Sequence, residues 1–389
     1  MDKFADLKVW VADVLEREHR QKPFIAKDEF LGDITGYMSN IVRFHLTWPS
    51  NSQNLPLTVI AKIPTAESLQ KNYEDTCGTA PPTSASANAD LLQMVHEIEI
   101  SSYAMLSKGR CQGLAIPFIY GSLSYSSAMP CILIEDIHPS KVYDLVDGFN
   151  DEQLYKVVDQ LVALHVYCFT HDDWKTLGME AKEMTESYKH YVEMYELMRG
   201  LFMTQNPQLK SGLTLLHDNY TRNKMWYIDE LQRYKKEGVL RTYVHGDLWT
   251  ANILWRGDEL AAIIDWSLCH SGSLTEDLLR VLVTCCSVER RKRMTRPLLE
   301  YYYKKMQTKL TEKGINMPFP FDDLEKDYHR TLPFISGQTV FAVGLWLQTG
   351  VIRKGTSNDE ERVQEMIARL HSIVEETVSA HKWRLPEHS

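Results

Sequence analysis

His245, Gly246, Asp247 and Asn252 stand at the spacing H-G-D-x-x-x-x-N inside YVHGDLWTANILW (Tyr243 to Trp255), and phosphoryl transfer from ATP calls for that combination. An acid orients the attacking hydroxyl and accepts its proton, and a neutral amide oxygen five residues on serves a divalent cation. Asp247 is therefore read as the catalytic carboxylate and Asn252 as a ligand of Mg2+. Asp265, which closes the run AAIIDW, is read as the second metal ligand. A lone carboxylate ending an Ala-Ala-Ile-Ile run would be costly to bury, and a cation resolves that cost. The competing reading has His245 and Asp247 bonding a turn and Asp265 capping a strand.

The elements that must position these side chains follow from apolar periodicity. Ile253 to Trp255 and Leu260 to Asp265 read as two short strands joined by the polar turn Arg256-Gly257-Asp258-Glu259. Asn252 enters the first strand and Asp265 leaves the second, so antiparallel pairing brings both to one end, with strands roughly 4.8 Å apart. Upstream, MDKFADLKVWVADVLERE reads as an amphipathic helix, Ile41 to Trp48 as a strand, and Leu57 to Ile63 as its hairpin partner. In that partner Thr58, Ile60 and Lys62 share one face and Leu57, Val59, Ala61 and Ile63 the other. Glu67 to Asp90 is rich in Ser, Thr, Ala, Pro and Asn and reads as a surface loop. Helices are expected over Leu91 to Lys108, Asp151 to Phe169, Glu180 to Gly200 and Asn219 to Glu237, with a final helical block from Glu276 onward and a buried helix over Thr339 to Ile352.

The 389 residues, 44% hydrophobic, suit two ordinary domains or one bilobal unit. A net charge of −9 argues against a nucleic-acid or membrane-surface partner, which would call for a basic face. Seven scattered cysteines without a C-x-x-C pair indicate neither a disulfide framework nor a zinc site, and point to a reducing compartment. The charged N-terminal helix is unlike a signal peptide, and no apolar run approaches the roughly 20 residues that span a bilayer. The expectation is a cytoplasmic protein acting on a small molecule.

The chain resembles the protein-kinase-like superfamily of choline kinases and aminoglycoside phosphotransferases, and within it the CHK kinase-like, or ecdysteroid-kinase-like, family in its nematode branch. The likeness rests on YVHGDLWTANILW, on AAIIDW followed by His270 and EDLLR, on CILIEDI (Cys131 to Ile137) and on LTVIAKIP (Leu57 to Pro64). It implies an α+β bilobal protein-kinase-like fold, with a small antiparallel-sheet ATP-binding lobe over 1–137 and a larger, mainly helical lobe over 138–389 for catalysis and acceptor binding.

The resemblance also implies roles for single residues. Lys62 in VIAK stands where the superfamily places the lysine that pairs ATP phosphates, and Glu99 is its ion-pair partner, with Glu97 as the alternative. The backbone carbonyl of Glu135 and amide of Ile137 are the implied adenine contacts of a hinge. Gly36 and Ser39, in GYMS, are the implied phosphate-loop residues, although the chain lacks the G-x-G-x-x-G of protein kinases. Asp277 in EDLLR is either a helix-opening acid or a brace for the catalytic loop. His165 reads as a packing residue, and His270 has no assigned role.

Gly246 where protein kinases carry Arg, Trp266-Ser267 in place of Phe-Gly, and the lack of an A-P-E segment turn the expectation from protein kinases to small-molecule phosphotransfer. The acceptor implied by the family is a steroid-like or other apolar alcohol, to which MPFPF (Met317 to Phe321) and FAVGLW (Phe341 to Trp346) would contribute walls. Choline or ethanolamine is the alternative acceptor. A non-catalytic nucleotide-binding regulator is a second class, disfavoured because Lys62, Glu99, Asp247, Asn252 and Asp265 are all present.

Overall fold

Val59 and Ala61 are fully buried while Ile60 and Lys62 between them are only partly so, and this alternation sets the strand β3 (Thr58–Pro64) on its two faces. The computed structural model describes residues 4–31, 38–49, 54–65, 85–107, 109–179 and 185–385. Around β3, the strands β1 (Phe24–Phe30), β2 (Ser39–Thr47), β4 (Ile119–Leu123) and β5 (Cys131–Glu135) complete a sheet of order β1-β2-β3-β5-β4, antiparallel at every pairing. Helix α1 (Ala5–His19) lays Leu7, Val11, Val14 and Leu15 on one face of this sheet, against Val42, Phe44, Val59, Ala61 and Leu133. These apolar side chains form the small core of the N-terminal lobe, each worth about 1.5–3 kcal/mol when fully buried. The other face, carrying Lys62, looks toward α2 (Ala85–Leu106).

Beyond β5 the chain becomes mainly helical. Asn150 caps α3 (Asp151–Thr170) in a reciprocal capping box with Gln153, satisfying donors the first turn would otherwise leave open. Then follow α4 (Thr185–Gln205), α5 (Lys210–Leu216), α6 (Trp226–Arg233), the short strand β6 (Thr242–Val244), the hairpin β7 (Ile253–Arg256) and β8 (Glu259–Ile263), and β9 (His270–Gly272), which pairs β6. Helices α7 (Glu276–Thr284), α8 (Val288–Glu312), α9 (Phe321–Gln348) and α10 (Asp359–Ala380) close the lobe around a second, larger core. The fold is thus α+β and bilobal, with the protein-kinase-like arrangement of a small antiparallel sheet above a helical lobe. Among the described residues no helix is long and apolar enough to cross a membrane.

Several elements differ from the sequence reading. Strand β1 escaped it, because an edge strand with Phe24 and Phe30 exposed and Lys27, Asp28 and Glu29 in its middle carries no clean alternation. The helix expected over Asn219 to Glu237 is broken. His217–Thr221 forms a single π turn, and Asn223 accepts from the Met225 amide and donates to Asp229, a local turn that defers the helix to Trp226. Helix α2 starts at Ala85, inside the stretch read as loop, and the expected helix Thr339 to Ile352 is the C-terminal part of the 28-residue α9, which ends at Gln348.

Candidate active site

The hairpin β7–β8 pairs Ile253 with Ile263, and the Ile264 amide donates to the Asn252 carbonyl at 3.0 Å, so Asn252 and Asp265 flank the same open end. Asp265 turns out of the strand in the left-handed region, φ 63° and ψ 62°, a conformation that Asp tolerates because its short polar chain bonds locally. The Asn252 side-chain nitrogen donates to the Asp247 carbonyl at 2.9 Å and approaches Asp247 Oδ2 at 3.3 Å. Its amide oxygen is thereby turned away from Asp247.

Asp277, at the start of α7, builds the loop that holds Asp247. Its two carboxylate oxygens accept from the backbone amides of His245 at 2.8 Å and Gly246 at 3.1 Å. Burial holds this carboxyl above its ordinary value. His245 Nε2 donates to the Ile264 carbonyl at 3.0 Å, which leaves Nδ1 to accept from the Asp247 amide at 3.3 Å. The loop is therefore tied to both the hairpin and α7. His270 faces two acceptors, the Leu268 carbonyl at 2.9 Å and Glu276 at 3.0 Å, so both ring nitrogens donate. Burial disfavours its charge, yet Glu276 holds its pKa above the ordinary value. It braces the segment beneath Gly246. His165 bonds the Tyr302 hydroxyl at 2.7 Å deep in the core, where burial lowers its pKa to about 3 and keeps it neutral.

From the opposite lobe, Lys62 Nζ lies 2.6 Å from Glu99 Oε2 and 2.7 Å from Asp265 Oδ1. Glu97, the alternative partner, instead accepts from Ser124 Oγ and the Tyr125 amide, each at 2.7 Å. Burial would strip the charge from Lys62, but Asp265 and Glu99 together raise its pKa and keep it an ammonium. Burial pushes the Glu99 carboxyl up to about 7 against the pull of Lys62. Burial likewise raises Asp265, and Lys62 more than offsets this, leaving it below the usual range.

A cavity of about 620 Å3 runs between the lobes and is lined by Lys62, Glu99, Asp247, Asn252 and Asp265 together. Ser39, Glu135 and Ile137 lie on its wall as well. Gly36 falls outside the described residues. Phe341 and Trp346 of FAVGLW line the cavity, but MPFPF does not: Phe319 packs against Tyr303 and Phe169 in the core.

Sequence reasoning missed Arg280, whose Nη2 lies 2.9 Å from Asp247 Oδ1. The signal was present, since Arg280 follows Asp277 by three residues on α7 and so shares its face. It also missed Tyr191, Tyr227 and Trp249 on the cavity wall, aromatic residues that nothing in a sequence separates from core.

The donor set fits Mg2+. This cation usually takes one or two carboxylates and fills its remaining positions with water and substrate phosphates, and Asp265 with Asn252 supply that much and no closed cage.

These features define the class as a protein-kinase-like fold with an interlobe cavity. The family model described as "Uncharacterized oxidoreductase dhs-27" (DUF1679) matches residues 25–385, and the chain belongs to that family. A Caenorhabditis elegans protein of that same description is 24% identical over 320 residues, which is 77% of this chain but 38% of the relative, so the chain spans well under half of that relative's length. A second protein from that organism, "Uncharacterized kinase-like protein D1044.1", is 22% identical over 311 residues, 76% of this chain and 79% of its own. Among solved structures, a putative aminoglycoside phosphotransferase from Ralstonia eutropha JMP134 covers 97% of this chain and 98% of its own at 11% identity and a TM-score of 0.48. The gentamicin complex of APH(2")-IIa covers 96% and 99% at 15% identity and a TM-score of 0.43.

Proposed function

We propose that the chain is an ATP-dependent phosphotransferase that moves the γ-phosphoryl group to a hydroxyl of a small molecule, with a steroid-like or other apolar alcohol as acceptor. One observation carries the reading: Lys62, held between Glu99 and Asp265, shares a single cavity with Asp247 and Asn252. That is the set phosphoryl transfer uses for positioning and charge neutralisation. In this reading residues 1–137 hold ATP, with adenine at Glu135 and Ile137 and phosphate at Ser39 and Gly36, and residues 138–389 hold the acceptor. The ecdysteroid-kinase-like family, in its nematode branch, is the proposed finer placement.

Lys62 binds phosphate oxygens and exchanges part of its contact with Asp265 for them. Asp247 orients the acceptor hydroxyl through Oδ2, because Oδ1 is held by Arg280. As the hydroxyl oxygen bonds to the γ-phosphorus, the bond to ADP breaks, and the hydroxyl proton passes to the Asp247 carboxylate and on to water. Such assistance is worth about 10² to 10⁴ in rate. Mg2+ at Asn252 and Asp265 would supply charge neutralisation on the phosphates.

The name of the dhs-27 relative belongs to a protein of which this chain spans 38%. A dinucleotide-binding unit requires parallel strands joined through a helix, and among the described residues every strand pair is antiparallel.

The test is mass spectrometry of products formed from ATP, Mg2+ and matched panels of sterols, glycosides and amino alcohols. A phosphorylated apolar alcohol is the expected product. Phosphorylation of choline or ethanolamine alone would overturn the acceptor class, and consumption of no ATP with any acceptor would overturn the activity.

A further inference from the structure

The part of the cavity beyond Asp247 is walled by aromatic side chains. Tyr191 on α4 packs with its ring 5.3 Å from Tyr227 on α6 and 4.5 Å from Phe341 on α9. Trp346, also on α9, stacks on Trp249 at 4.8 Å and 28°. Aromatic faces beside a carboxylate are the parts of a quaternary-ammonium cage, and alone they would suit a cationic acceptor such as choline.

Arg280 reverses that preference. Its guanidinium carbon sits 5.3 Å from the centre of the Trp346 ring and its Nη2 2.9 Å from Asp247, so the chain's own cation already occupies both the aromatic face and the acid. Arg280 is only 7% exposed, and its buried Nε has no hydrogen-bond partner among the described residues. Among the described residues that α4, α6, α7 and α9 place on the cavity wall, Arg280 alone is charged. A guanidinium stays protonated at any relevant pH, so this charge is permanent.

We infer that Arg280 determines acceptor charge: this end of the cavity takes flat, apolar alcohols that are neutral or anionic and rejects amino and trimethylammonium alcohols. The inference rests on the phosphotransferase reading for the placing of the reacting hydroxyl at Asp247. Two like charges about 5 Å apart at an effective dielectric near 20 disfavour each other by a factor on the order of 10². Asp247 offsets part of this, which leaves an expected discrimination of about tenfold or more. The selection is by repulsion, with the aromatic wall attractive to every candidate.

The experiment uses three hydroxysteroids with one ring skeleton that carry, on the carbon next to the reacting hydroxyl, a neutral amide, a carboxylate or a trimethylammonium group, so that the added charge lies beside Arg280. Dissociation constants are read from quenching of tryptophan fluorescence, since Trp249 and Trp346 line the site. Wild-type protein is expected to bind the first two at least about tenfold more tightly than the third. Arg280→Gln should bring all three within about threefold, and Arg280→Lys, which keeps the charge, should preserve the order. Equal binding of the trimethylammonium compound by wild type, survival of the ranking in Arg280→Gln, or failure of all three to bind would overturn the inference. If Arg280→Gln does not fold, the wild-type ranking decides. Turnover measured in parallel separates the two readings, because a correct ranking with no phosphate transferred removes the phosphotransferase and leaves charge selection standing.

Discussion

Lys62 Nζ lies 2.7 Å from Asp265 Oδ1, a contact that bridges the two lobes across 203 residues of sequence. The lysine that would align phosphates and the carboxylate that would hold a cation therefore neutralise each other. Glu99 takes the same ammonium at 2.6 Å from within the N-terminal lobe, so Lys62 stays placed when Asp265 is drawn off. The side chain of Asp265 is 38% exposed and that of Glu99 3%. Of the two partners, Asp265 is thus the one positioned to exchange.

Asp265→Asn should keep the fold, because Asn also tolerates the left-handed backbone at this position. It removes the charge a cation would meet, and kcat is expected to fall on the order of 10²-fold or more. Melting temperature, ATP turnover and the Mg2+ dependence of ADP binding would be compared with wild type. A folded variant with an unchanged rate and unchanged Mg2+ dependence excludes the metal role.

Lys62→Met and Glu99→Gln act through one ion pair, so their losses in kcat/KM should not add in the double variant. Glu97→Gln should be nearly silent at the site, since among the described residues Glu97 bonds Ser124 and Tyr125 rather than Lys62. Full additivity, or a damaging Glu97→Gln, would show that the pairing does not govern phosphate alignment.

Glu99 also predicts a pH dependence. Burial raises its pKa from the ordinary 4.5 to about 7, so within that window the folded chain holds a proton that the unfolded chain has released. Its contribution to stability is full below the window and is lost as pH rises through about 7. Activity should run the other way, because the ionised carboxylate is the form that holds Lys62. Glu99→Gln should flatten both the melting curve against pH and the acidic limb of kcat/KM for ATP. Retention of both slopes in that variant would assign them to other groups, such as His96 beside it on α2.

Asp277 and Asp247 should separate structure from chemistry. Asp277→Asn turns one acceptor into a donor facing a backbone amide, and an unsatisfied buried group costs about 1–3 kcal/mol. Melting temperature and rate should fall together. Asp247→Asn can still accept from Arg280 but leaves that buried guanidinium without its counter-charge, so some melting temperature is lost as well, while kcat of the protein that stays folded should fall by about 10² to 10⁴. The brace is refuted if Asp277→Asn melts like wild type.

The sequence carried the hairpin and the two residues at its open end because each is local: Asn252, Asp265 and the turn between them lie within one short stretch with clear strand periodicity. The Lys62–Glu99 pair was legible only through resemblance, since no periodicity says which carboxylate of α2 reaches β3. Arg280 went unread although its spacing from Asp277 was plain, because a charged residue on a helix is solvated far more often than it is buried. The aromatic wall of the cavity is assembled from α4, α6 and α9, whose aromatic residues differ in no local feature from Trp226 or Phe334 in the core beside them. Only tertiary packing decides which of them faces a cavity.

Gly246 gives the last prediction. Its φ is +81°, and a Cβ built there would lie 2.4 Å from the Leu268 carbonyl oxygen and 3.1 Å from the His270 ring. A left-handed backbone costs a residue with a side chain roughly 1–2 kcal/mol, and the carbonyl cannot retreat freely because it accepts from His270 Nδ1 at 2.9 Å. The residue that protein kinases place here, Arg, is therefore incompatible with this loop, and the departure from their pattern has a steric cause in the neighbouring Leu268–His270 segment. Gly246→Ala should destabilise the protein by more than the backbone term alone, by about 2 kcal/mol or above, and should misplace Asp247 one residue on. Urea unfolding and ATP turnover measure the two effects. A Gly246→Ala protein with wild-type stability and rate would mean that the loop relaxes around a side chain, and the steric account would fall.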